Sequence, residues 1–264
     1  MEIIELSWPR LLIASLILVI PAFIFWKYKT GLNRQMVIAT IRMTLQLIFV
    51  GYYLEYLFEY DNAWINLAWI MVMVIVADFA TIDRSELRAT RSLVIPIFGA
   101  TFLGILLINF FFLELVIQLP SILEAQYAIP ITGMVLGNCL QSNVIGIHDF
   151  YYNLRANRER YQFYLACGAS RSEAHFTFYQ SALRKSANPT LAAMATIGLV
   201  SLPGMMTGQI LSGTSPMIAI QYQIMIMFAI FSGTILSVFL GINFANRFVF
   251  HDNDMMDETI FKED

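Results

Sequence analysis

Two stretches carry the same arrangement of chemistry-bearing residues, Gly133-Met134-Val135-Leu136-Gly137-Asn138 and Gly204-Met205-Met206-Thr207-Gly208-Gln209. Each reads Gly-Met-x-x-Gly-amide inside an apolar run. Glycines at this spacing let helix backbones approach closely in a bilayer, and hydrocarbon penalises the amide that follows unless it faces protein or water. Two readings stand. In one, Gly133, Gly137, Gly204 and Gly208 serve only helix packing. In the other, Asn138, Gln141, Asn143, Met205, Met206, Thr207 and Gln209, joined by Met134, form a polar, thioether-containing belt along a translocation pathway. Pro203 favours the second reading, because it frees the carbonyl of Leu199 from its helical bond and such a break persists in lipid only where protein or water satisfies it. The belt names no metal, since thioether sulfur suits soft ions while amides suit harder ones.

Other chemistries are excluded by missing partners. The chain has no Gly-x-x-x-x-Gly-Lys-[Ser/Thr] phosphate loop, so it does not hydrolyse a nucleotide by that route. Ser232-Gly233 within an apolar run would need a histidine at matching depth to act as a nucleophile, but His148, His175 and His251 all fall at or beyond span ends. Asp149 beside His148 offers two metal ligands, too few for a site by themselves. Arg42 and Asp78 are expected to pair across neighbouring spans or to mark a pathway. Cys139 lies in an apolar run and Cys167 in a polar one, which is no disulfide framework.

These residues require membrane-spanning elements to hold them. The chain of 264 residues is 58% hydrophobic and only 13% charged, with a mean hydropathy of +0.65, which leaves too little polar surface to coat a soluble domain. A net charge of −3 without a dense Lys/Arg tract argues against a nucleic-acid partner. The acidic start, Met1-Glu2-Ile3-Ile4-Glu5, is unlike a secretory signal, so the first apolar run is expected to be retained. About seven runs are long enough to span a bilayer, at residues 8–26, 36–58, 63–82, 93–119, 127–147, 190–211 and 217–244. Fourteen of the 16 basic residues follow the first, third, fifth and seventh runs. The positive-inside rule then places the N-terminus outside and the C-terminus in the cytoplasm. The expected organisation is one all-α permease domain over residues 1–250, with a cytoplasmic coupling segment at 149–189 and an acidic tail at 251–264.

The coupling segment has its own punctuation. A short helix from Tyr161 to Cys167 is expected to end at Gly168 in the left-handed conformation. Ser170-Arg171-Ser172-Glu173 reads as a capping box, and a second helix should run to Asn188-Pro189. The result is either a rigid elbow or an amphipathic pair resting on headgroups.

Leu165-Ala166-Cys167-Gly168-Ala169-Ser170, with Ala174, Ala182-Leu183-Arg184 and Pro189 downstream, resembles the Glu-Ala-Ala-type loop by which ABC-transporter permeases dock into their ATPase subunits. The run Ser201-Leu202-Pro203-Gly204-Met205-Met206-Thr207-Gly208-Gln209-Ile210-Leu211-Ser212-Gly213-Thr214-Ser215-Pro216, then Ala219-Ile220-Gln221-Tyr222-Gln223-Ile224, resembles the signature of FetB-type iron-export permeases, related to plant aluminium-tolerance permeases. Pro130 with Gly133-Met134 and Gly137-Asn138 resembles that family's earlier motif. The resemblance implies a non-catalytic homodimeric subunit of a bacterial inner membrane. It would pair with a separate ATPase that binds ATP and Mg, carry no cofactor of its own, and export iron or another metal species. It also implies ATPase coupling through Glu159, Tyr161, Tyr164, Leu165, Gly168, Ala169, Ser170, Arg171 and Glu173, although the spacing of Glu159 and the bulk of Tyr161 and Tyr164 depart from the bacterial importer pattern. A secondary transporter or membrane scaffold without an ATPase is the alternative.

Overall fold

The structure is a computed structural model that describes residues 7–250 and 254–262. The acidic start and His251 lie outside the described residues. Every long element is an α-helix, as expected where backbone polar groups must be satisfied within the segment. The chain divides into two compact units, Met1–Tyr60 with Leu211–Gly213, and Asp61–Ile210 with Thr214–Asp264.

In the first unit, α1 (Trp8–Ser15) continues through one 3₁₀ turn into α2 (Val19–Lys27). Lys29 and Gly31, both at positive φ, then turn the chain into α3 (Asn33–Tyr60). Most of its apolar side chains are exposed, as suits a lipid-facing pair.

The second unit holds the core. α4 (Ala63–Arg84) starts at Asn62, whose side chain accepts from the backbone amides of Trp64 and Ile65 at 3.0 and 3.4 Å. α5 (Arg91–Asn109) widens into π-type turns over Phe110–Val116. α6 (Ala125–Ala156) is the central element and packs on α4, on α8 (Arg171–Thr196) and on α10 (Pro216–Val249). α10 also runs along α5. Close approach of α6 and α10 rests on two glycines. A Cβ at Gly146 would lie 2.6 Å from Val238 Cγ1, and one at Gly233 would lie 2.7 Å from Val135 Cγ1. Short polar pairs cross the α5–α6, α6–α10 and α4–α5 interfaces. Asn109 donates to Thr132 at 2.6 Å, Asn143 to Ser237 at 2.8 Å, and Thr101 to Asp78 at 2.8 Å.

Several sequence expectations change here. Among the described residues, five helical stretches, Trp8–Lys27, Asn33–Tyr60, Ala63–Arg84, Arg91–Val116 and Pro216–Val249, are long and apolar enough to cross a membrane. The other two expected spans differ in kind: α6 is continuous but carries amides, hydroxyls and Asp149, and residues 190–211 are not one helix. α8 passes through Pro189 without ending and stops at Thr196, after which residues 197–203 are non-helical and α9 covers Gly204–Leu211. Pro189 lacks only one N–H, and the packing of α6 and α10 on α8 carries the helix across it. The expected break falls further on, at Gly198 (φ 84°) and Pro203.

Residues 254–262 lie back on the core, with Ile260 and Phe261 buried. The Arg88 amide donates to the Ile260 carbonyl at 2.7 Å, and Leu87 and Phe261 form an antiparallel bridge.

Candidate functional site: a polar cavity joined to a capped elbow

A cavity of about 400 Å³ lies where α6, α8, α10 and the broken segment before α9 meet. Its polar lining includes Asn138, Gln141 and Ser142 from α6, Thr190 from α8, Ser201 from the break and Gln223 from α10. Met134, Met205 and Met227 add thioethers. Among the described residues, none that lines it bears a formal charge. The break exists because Gly198 takes a left-handed conformation and Pro203 offers no N–H. The first turn of α9 closes on the Pro203 carbonyl, to which the Thr207 hydroxyl and amide both donate at 3.0 and 2.9 Å.

The cavity unites part of the expected belt. Asn138, Gln141 and Met205 line it, and the two Gly-Met motifs meet across it through Met134, Gly204 and Met205. Asn143 lies elsewhere, donating to Ser237 in α10; Met206, Thr207 and Gln209 sit on α9 outside the lining. Ser142, Thr190, Ser201 and Gln223 also line the cavity from outside the Gly-Met motifs, and of these Gln223 carries a sequence signal as an amide inside an apolar run. Among the four motif glycines, a Cβ at Gly137, Gly204 or Gly208 would meet nothing within 4 Å, and one at Gly133 would meet only the flexible end of Met73. Close packing inside the chain therefore rests on Gly146 and Gly233.

The elbow begins with α7 (Arg158–Ala166). The Gly168 amide donates to the Leu165 carbonyl at 2.9 Å and the Ala169 amide to the Tyr164 carbonyl at 3.0 Å. With Gly168 at φ 90°, this is a Schellman ending. Ser170 then caps α8. Its hydroxyl accepts from the Glu173 amide at 3.4 Å, and its own amide donates to the Glu173 carboxylate at 2.7 Å. Hydrogen bonds from the Ser170 hydroxyl, and then from its amide, hold the Glu173 carboxyl below the usual range.

Tyr161 is buried, stacked on His175 at 5.1 Å, and its hydroxyl donates to the Asp254 carbonyl at 2.9 Å. Burial first, then the Asp254 charge, pushes the Tyr161 hydroxyl up to about 12. His175 sits among Phe150, Tyr161, Tyr179 and Phe250. Burial first, then the Arg171 charge, pulls its imidazole down to about 4. Tyr164 receives a hydrogen bond from Arg160 at 3.0 Å. Glu159, Phe163, Cys167, Gly168 and Ser170 are exposed, while Leu165 and Ala169 are half-buried.

The other polar candidates have structural partners. His148 Nδ1 lies 3.1 Å from the Ser85 carbonyl and its ring stacks on Tyr152. Asp149 pairs with Lys185 and accepts from Asn153, so the two neighbours do not converge as ligands. Asp78 accepts from Thr101.

This is an integral membrane protein, built as a helical bundle with a polar cavity beside a broken helix. Residues 8–250 match the model of the uncharacterised protein family UPF0014, and the chain belongs to that family. It is 30% identical to the probable iron export permease protein FetB of Escherichia coli, over 88% of this chain and 87% of that one. It is 32% identical to the ALUMINUM SENSITIVE 3 protein of Arabidopsis thaliana, over 81% and 77% of the two chains. With the membrane protein YjkA of Bacillus subtilis it shares 31% identity over 84% and 87%. No solved structure matches.

Proposed function

We propose that this chain is the permease of an ATP-driven exporter whose ATPase is a separate subunit. One observation carries the reading: the helix that starts at the capped elbow ends at the cavity. From Arg171 to Thr190, α8 extends about 29 Å at its rise of ~1.5 Å per residue, and both ends are defined, by the Ser170 box and by the lining of the cavity. A push on the elbow is thus delivered to the cavity wall without an intervening loop. The outer side of the elbow, with Glu159, Phe163, Gly168 and Ser170 exposed and Leu165 and Ala169 half-buried, is the ATPase-facing surface; Tyr161, Tyr164, Arg171 and Glu173 hold its shape.

The asymmetry of basic residues supports a topology with the elbow and tail in the cytoplasm. Two ATP sites that close between two ATPases call for two copies of the chain, and Gly137, Gly204 and Gly208 are free to meet a second copy. The name of the FetB relative favours an iron or other metal cargo. Because the lining is uncharged, such a metal would enter with its own ligands or hydration shell, held by amide and hydroxyl hydrogen bonds in place of carboxylates.

The test is co-expression with a candidate ABC ATPase, purification through a tag on this chain, and ATP-dependent metal efflux from proteoliposomes. The expected result is co-purification at two copies of each chain and efflux that requires hydrolysable ATP. Efflux by this chain without any ATPase would overturn the reading in favour of a secondary transporter.

A further inference from the structure

The tail does something that neither a solvated extension nor a docking loop requires. Asp254 contacts both arms of the elbow. Its carbonyl accepts from Tyr161 in α7, and its carboxylate pairs with Arg171 at the first position of α8. A cation there opposes the positive end of the helix dipole, and the Asp254 carboxylate offsets it. Asp254 holds a left-handed conformation at φ 58°, uncommon for a residue with a side chain and retained where surrounding contacts determine it.

Beyond Asp254 the segment is anchored step by step. Met255 sulfur accepts from Gln162 at 3.6 Å, and Glu258 pairs with Arg158 at 3.1 Å and Arg155 at 3.4 Å. Phe261 packs edge-on to Tyr152 at 5.1 Å beneath the Arg155 guanidinium at 4.4 Å. Lys262 pairs with Asp83 at 2.8 Å. Exposed ion pairs of this kind are worth little singly. The buried Ile260 and Phe261 fix the segment in place, and Asp254 then meets the elbow from a fixed base.

We infer that Asp254 is a latch that sets the angle between α7 and α8, and that through the tail the elbow is tied to the corner between α4 and α5. Tyr161 and Arg171 are then positioning residues for the coupling surface and not part of it. The role in coupling rests on the permease reading; the geometric claim does not.

The test uses the full chain in nanodiscs. Hydrogen exchange of residues 161–171 should accelerate about tenfold in Asp254→Ala, with α5 and α10 unchanged. Asp254→Glu should stay within about twofold of wild type, and the reversed pair Arg171→Asp with Asp254→Arg should recover most of the protection. Unchanged exchange at the elbow, or equal acceleration throughout α10, would overturn the latch. With the ATPase bound, Asp254→Ala should retain co-purification while ATP consumed per ion exported rises several-fold; an unchanged ratio would overturn its role in coupling. Failure of wild type to bind any ATPase would count against the permease reading alone, since the exchange data are collected without one.

Discussion

The cavity and the elbow are opposite solutions on the same helix. Around the cavity the backbone is interrupted, and the described lining mixes amide, hydroxyl and thioether groups with apolar side chains such as Ile145, Ile226 and Ile230 and includes no charged residue. Around the elbow the turn between α7 and α8 is capped on both sides, the interior is aromatic, and charged pairs bind the tail across it. In the proposed exporter the broken helix is the part that would change shape, and the capped corner the part that would transmit force, because few of its dihedrals are free. α8 joins the two, so stiffness at one end is useful only if the other end yields.

The largest expected effect lies in what holds both regions together. Gly146→Val places side-chain atoms where α6 already touches α10 and should destabilise the bundle by about 2–3 kcal/mol through overpacking. Gly137→Ala should leave stability within about 0.5 kcal/mol, since nothing lies within 4 Å of a Cβ there. Thermal unfolding in detergent, read by retention of monodisperse protein, distinguishes the two. Equal losses would mean that the motif glycines also pack closely, by way of a second copy.

That contrast also marks what the sequence reveals. The elbow is legible because its signals are local: Gly168 and the Ser170–Glu173 box lie within a few residues and act on adjacent backbone. Most spans are legible from hydropathy. Gly146 gives no such signal, because its role depends on Val238, which lies far away in sequence. Pro189 misleads, since its usual effect on a helix is overridden by packing against α6 and α10. The tail is hidden by its acidity, which outweighs the short apolar pair Ile260-Phe261 in any composition count. Part of the cavity is legible as a motif, through Met134, Asn138, Gly204 and Met205, while Thr190 joins it only through tertiary contact.

A smaller effect is expected from changing the cavity without touching the elbow. Gln141→Leu with Gln223→Leu removes two amides from the lining and should slow ATP-dependent metal efflux about tenfold or more, by the loss of hydrogen bonds worth ~1 kcal/mol each. ATPase co-purification should be unchanged. Gln209→Leu lies outside the lining and should slow efflux less than about threefold, within the small cost typical of substitutions away from such features. If Gln209→Leu were the more damaging change, the pathway would run along α9 instead of the cavity.

The smallest effect separates the elbow by pH. His175 is enclosed by Phe150, Tyr161, Tyr179 and Phe250, with Arg171 disfavouring its protonation and Asp254 favouring it more weakly. Its pKa falls from 6.5 to about 4 on folding, so between those values the unfolded chain binds a proton that the folded chain does not. Stability contributed by the neutral ring is complete above 6.5 and declines as pH falls toward 4. Going from about pH 7.5 to about 5.5 should cost ~1 kcal/mol by this linkage. His175→Phe keeps an aromatic ring in the cluster and should flatten that portion of the pH profile. Unfolding of the full chain in nanodiscs at both pH values, monitored by exchange of residues 161–171, provides the measurement. A wild-type elbow equally protected at both values would show that the imidazole is already charged or solvated, and that the aromatic cluster is looser than its ring distances imply.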